Sequence, residues 1–201
     1  MRTEMERLAN DLPARCIATA HVDNDLVVLA SAGSPTPGSS TTTLVGQRLP
    51  FVPPTGSVFA AWMSDPAIDH WIAASPVPQA RDAYRQSLAS VRSRGFSIGL
   101  QSTAQREFAS ALERLAAQPS VASDVDLRTL VPDVRFDPPE LTQEVRDAVR
   151  LISAPVHGPD GDVVLGLTVY EFPRPPRGIQ DYIDRLLEAA ERASNIIKAN
   201  A

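Results

Sequence analysis

The chain is poor in the residues from which many sites are built. Its 201 residues include one cysteine, Cys16, which excludes an internal disulfide and a cysteine-built zinc site. That cysteine lies in the apolar, strand-like run Arg15-Cys16-Ile17-Ala18, where a buried and inert thiol is expected. A basic excess is missing too. The 19 Lys and Arg stand against 24 Asp and Glu, a formal charge of −5, and Lys198 is the only lysine. Nucleic-acid binders hold phosphates with a positive balance, so no direct nucleic-acid contact by this chain is expected.

Long apolar runs are absent as well. No stretch approaches the ~20 apolar residues of a membrane helix, and Met1 to Arg7 has no apolar core of a signal peptide. No membrane contact and a cytoplasmic location are the resulting expectations. The three histidines, His21, His70 and His157, form no i, i+4 pair and no cluster, so neither a metal nor a cofactor is expected. His21 beside Asp23 and His157 at a turn read as exposed polar positions. Glycine-rich phosphate loops are lacking, and Gly56-Ser57-Val58-Phe59 has no second glycine to make a nucleophile elbow. The close carboxylates Asp23/Asp25 and Asp160/Asp162 sit on turns, where solvated side chains are expected. No nucleophile has a convincing base, and no enzymatic activity is expected.

What is present is an ordinary globular pattern, 43% hydrophobic and 21% charged, of a length for one large domain or at most two small ones. Such a chain buries roughly 70% of its unfolded surface and needs no staple. Thr3 to Asn10 suits a short amphipathic helix that Pro13 stops. Arg15 to Val22 and Leu26 to Ala32, split by Asp23-Asn24-Asp25, predict a hairpin. Thr41 to Val45 suits a third strand after the loop 34–40. Helices are predicted from Thr55-Gly56-Ser57 through Trp62, over Pro66 to Ala74, over Val77 to Arg94 with Gly95 as its stop, and over Ala104 to Ala117. Phe96 to Leu100 is a strand candidate, and the proline-broken stretch from Pro119 to Thr142 reads as a peripheral excursion. Leu151 to Val156 and Asp162 to Tyr170 predict strands around the Pro159-Asp160-Gly161 turn. Ile179, Tyr182, Ile183, Leu186, Leu187, Ala190, Ala193 and Ile197 share one face of a long final helix. Strand pairs with short turns, mixed with helices, make this an α+β domain with an antiparallel sheet.

One site-like feature stands out on residue grounds. Thr55-Gly56-Ser57 should leave backbone N–H groups unpaired at a helix start, a place suited to a carboxylate. Many helices start this way without binding anything.

The order of segments carries more than any single motif. Gly46-Gln47-Arg48-Leu49-Pro50-Phe51 before a small-residue helix start resembles the glycine and leucine-proline segment of the IclR family's effector-binding domain. Ser90 to Ser97, with Arg94-Gly95-Phe96, is similar to that family's arginine-glycine-tyrosine junction. Ile152-Ser153-Ala154-Pro155-Val156, then Pro159-Asp160-Gly161, then Leu165-Gly166-Leu167-Thr168-Val169, resembles its alanine-proline-valine, turn and apolar-strand signature. The hairpin over Arg15 to Ala32 fits its first two strands.

The resemblance implies a GAF-like antiparallel sheet flanked by helices. It places a linker helix at 1–12, an effector-binding domain at 13–201, and an extended insertion at about 103–145 that lies over the pocket. It implies a sensor half of a transcriptional regulator without the winged helix-turn-helix, forming a homodimer or homotetramer. The implied partner is a small-molecule effector, a small organic or aromatic acid. The residues it assigns to that ligand are Phe51, Thr55, Gly56, Ser57, Phe59, Ser153, Pro155, Thr168 and Tyr170. Ser57-Val58-Phe59 adds bulk where the family has Gly-Lys-Ala, and Glu171-Phe172 replaces its glycine. An apolar effector against Phe51, Phe59, Trp62 and Tyr170 is also compatible. A ligand-free GAF-like dimerisation module is the alternative.

Overall fold

The computed structural model describes residues 2–33, 45–75, 81–100, 137–171 and 178–201. In chain order the elements are α1 (Arg2–Asp11), β1 (Arg15–Val22), β2 (Asp25–Ala32), β3 (Arg48–Pro50), α2 (Ser57–Ala60), α3 (Asp65–Ala73), α4 (Arg81–Arg94) and β4 (Ser97–Leu100). They continue with α5 (Gln143–Ala148), β5 (Val149–His157), β6 (Val163–Tyr170) and α6 (Ile179–Ala199). Six strands form one sheet in the order β3-β2-β1-β6-β5-β4, and every neighbouring pair runs antiparallel. The α+β antiparallel expectation holds.

Alternation along the strands divides the side chains between two faces. Cys16 and Ala18 of β1, Ile152, Ala154 and Val156 of β5, Leu167 and Val169 of β6 and Ile98 of β4 are buried toward α1 and α6. The 21-residue α6 is held there by Ile183, Leu186, Ala189, Ala190 and Ala193, whose spacing keeps them on one stripe. Its alanines let the helix lie close to the sheet. Ser194 adds a polar pin: its hydroxyl accepts the His157 N–H at 2.9 Å and donates to the Ala190 carbonyl at 2.8 Å. On α1, Met5 and Leu8 enter the same core, while buried Glu4 bonds Arg192 of α6 and Arg7, each at 2.7 Å.

The other face is partly roofed by α2, α3 and α4, which share a second core around Phe51, Phe59, Ile68, Trp71, Leu88 and Val91. Several sequence expectations need correction here. The helix after Thr55 is a single turn, because after Ala60 the hydrogen bonds tighten to three-residue spacing, Trp62 to Phe59 and Met63 to Ala60, before α3 begins. The third strand among the described residues is Arg48–Pro50; of the expected strand 41–45 only Val45 is described, in a turn, and the rest of that run lies outside the described residues. The predicted helix over 104–117 lies outside the described residues. The stretch from Pro119 to Thr142 is not wholly peripheral, since Asp137 is completely buried.

Candidate functional site

The face under α2 carries an unusual row of small hydroxyl residues. Antiparallel register sets Ile17 of β1 opposite Thr168 of β6, Thr168 opposite Ser153 of β5, and Ser153 opposite Ser97 of β4. Ser153 and Thr168 meet at 2.8 Å between their hydroxyl oxygens, and both are buried. In the neighbouring rows Thr19 lies opposite Gly166 and Gly166 opposite Pro155, while Tyr170 lies between Arg15 and Leu151. Pro155 sits past the end of β4, where β5 has one neighbour only and a residue without an N–H is tolerated. The sheet thus gathers Ser153, Pro155, Thr168 and Tyr170 on adjoining strands, as expected.

The residues from the loop and α2 meet this face in different ways. Phe59 packs directly over Gly166: a Cβ there would come within 3.0 Å of the Phe59 ring. Gly56 adopts φ +87°, and a Cβ on it would stand 2.5 Å from the Phe51 ring, so both conformation and space demand glycine. Phe51 is buried and Thr55 half-buried. The helix-start cradle expected at Thr55-Gly56-Ser57 is weaker than its sequence suggests, because four residues align too few peptide dipoles. Ser57 caps nothing. Its hydroxyl turns inward, 2.9 Å from that of Ser97, and donates to the Asp137 carboxylate.

Asp137 is the member that sequence reasoning missed. One carboxylate oxygen accepts from the Ile98 N–H at 2.7 Å and from the Arg94 guanidinium; the other accepts from Ser97 at 2.9 Å and from Ser57. Its own N–H donates to the Ile98 carbonyl at 3.0 Å, so Asp137 occupies the outer edge of β4. Arg94 braces the turn by donating to the carbonyls of Phe96 at 2.7 Å and Pro138 at 2.9 Å. Burial pushes the Asp137 carboxyl above the usual carboxylate range, against the opposing pull of Arg94 and the three other donors. An aspartate among prolines in an irregular stretch gives no periodic signal of burial.

His21 is likewise not the exposed residue that its place beside Asp23 suggests. Its ring lies 4.0 Å from that of Phe51 and 6.3 Å from that of Phe59, measured between centroids. Phe51 in turn lies 6.1 Å from Trp71. Trp62 packs against the edge of the second core and also makes an edge-on contact with His157, 5.6 Å between ring centroids. At the other end Arg15 stacks over Tyr170 at 5.4 Å and faces Glu171 at 3.7 Å. No group of three potential metal ligands occurs among the described residues. None of the helices there is long and apolar enough to cross a membrane.

No protein-family model and no curated protein sequence matches the chain. Solved structures do. An IclR transcriptional regulator from Alicyclobacillus acidocaldarius superposes with a TM-score of 0.63 at 15% identity, over 96% of this chain and 65% of that one. IclR of Thermotoga maritima gives 0.62 at 11% identity, over 98% and 66%. The C-terminal domain of the E. coli transcriptional regulator KdgR gives 0.60 at 16%, over 98% of this chain and 95% of that domain. The chain therefore spans about two thirds of the longer regulators and nearly all of an isolated C-terminal domain. It has the fold of the C-terminal domain of IclR-type transcriptional regulators.

Proposed function

We propose that this chain is the small-molecule-sensing and oligomerisation domain of an IclR-type transcriptional regulator, with no enzymatic activity of its own. The observation that carries this reading is the buried hydroxyl row Ser97–Ser153–Thr168, with Pro155 and Tyr170 in adjoining rows, Phe59 over Gly166 and the Ser57 hydroxyl against Ser97; the resemblance adds Phe51, Thr55 and Gly56. Concave, mostly apolar surfaces with a few convergent polar groups are what small ligands use. The resemblance implies a small organic or aromatic acid, and the aromatic residues of the second core favour an aromatic body. DNA contact would fall to another part of the regulator, consistent with the acidic balance of this chain.

The test is ligand-dependent melting against a panel of organic acids, aromatic acids and neutral aromatics. A saturable rise in Tm that is lost in Thr168→Phe and Tyr170→Ala supports the pocket; binding that survives both removes it. A ligand-free dimerisation module is the second reading, favoured by the mutual pairing of Ser153 with Thr168. In that case no compound in the panel shifts Tm, while sedimentation still reports a dimer or tetramer.

A further inference from the structure

The polar atoms of the candidate site are matched at one end and unmatched at the other. Ser153 is paired with Thr168, and Ser57 and Ser97 with Asp137. Around Phe51 the situation differs. Trp71 is 3% exposed, and its Nε1–H is buried without a hydrogen-bond partner. His21 Nε2 is buried without one as well. Both rings lie against Phe51, at 6.1 and 4.0 Å. An indole N–H can only donate, so whatever satisfies Trp71 must be an acceptor, and His21 donates from Nε2 in the matching tautomer.

The charges point further. Arg15 and Arg94, the arginines most enclosed at this face among the described residues, each face a carboxylate of the chain itself, Glu171 and Asp137. A carboxylate entering among Phe51, Phe59 and Trp71 would lose its hydration without meeting an uncommitted guanidinium. A neutral carbonyl would take the same hydrogen bonds without burying a charge.

We infer that the effector is an aromatic compound whose polar group is a neutral acceptor, such as an amide or ketone, received by Trp71 and His21 beside Phe51. This rests on the sensing role proposed above and departs from the acid that the resemblance implies. The test uses matched pairs on the 201-residue chain: benzamide with benzoate, phenylacetamide with phenylacetate, and nicotinamide with nicotinate. Calorimetry should show the best amide binding at least ~10-fold more tightly than its acid. The Trp71 indole N–H resonance, assigned by its absence in Trp71→Phe, should move on titration with that amide. Trp71→Phe and His21→Phe keep a ring in place and should each weaken the amide by about 10-fold. An acid that binds more tightly than its amide, or an amide indifferent to both substitutions, overturns the inference while leaving the sensing role standing. An indole resonance unmoved by every probe, with no heat of binding from any, overturns the inference, and the wider melting panel then decides the sensing role separately.

Discussion

The Phe59 ring rests on Gly166 in the middle of β6, close enough that a Cβ at 166 would lie 3.0 Å from Phe59 Cε2 and 3.1 Å from Thr19 Oγ1. This contact couples the one-turn helix α2 to the sheet face bearing the hydroxyl row. Gly166→Val should destabilise the domain by about 1–3 kcal/mol, because Phe59 is fully enclosed and has nowhere to move. Phe59→Leu in the same background should recover part of the loss. Denaturant unfolding of both singles and the double gives the coupling.

Asp137 and Arg94 form a pair whose breakage leaves a buried group without its partner. Asp137→Ala should cost about 3–5 kcal/mol, measured by urea unfolding. Arg94→Lys should also cost stability, since an ammonium cannot reproduce the fork to Asp137, Phe96 and Pro138. Ser57→Ala, which removes one of several donors, should cost only about 1 kcal/mol.

Glu4 ties α1 to α6, and the bond from Arg192 holds its carboxyl below the usual value of 4.5. With the folded value depressed, the unfolded chain binds the proton more readily. The contribution is therefore complete above about pH 4.5 and lost as pH falls through the folded value. Glu4→Gln should flatten the acid limb of the stability profile and cost about 1–2 kcal/mol at pH 7, the half-exposed Arg192 keeping the figure modest. Thermal melts from pH 3 to 8 read both.

Burial without any compensating charge pushes the Cys16 thiol up to about 12. It should not react with a thiol reagent at pH 8 in the folded protein, and its labelling rate in urea should follow global unfolding. Fast labelling in native buffer would contradict its place between the sheet and the helices.

Much of the fold was legible locally. The β1–β2 hairpin, the β5–β6 pair around Pro159-Asp160-Gly161 and the amphipathic α6 each announce themselves by alternation, turn residues or helical spacing. Ser153, Pro155, Thr168 and Tyr170 are named through the family resemblance, and the observed β5–β6 register is what sets them in adjoining rows. Cys16 was expected to be buried and is. The length of α2 was not legible, since Ser57 to Met63 contains no glycine or proline to mark a stop.

The residues read wrongly are those whose environment comes from far along the chain. Asp137 meets Ser57, 80 positions away, and Ser97, 40 positions away. His21 looked like a turn neighbour until Phe51 and Phe59 closed over its ring. Composition and periodicity determined that this chain folds as an antiparallel α+β domain, because each strand and helix sorts its own side chains by water affinity. Tertiary structure decided which polar groups are satisfied. Desolvation and hydrogen bonding act across packed elements, so that Asp137 finds four donors while Trp71 and His21 each keep a buried nitrogen that finds none.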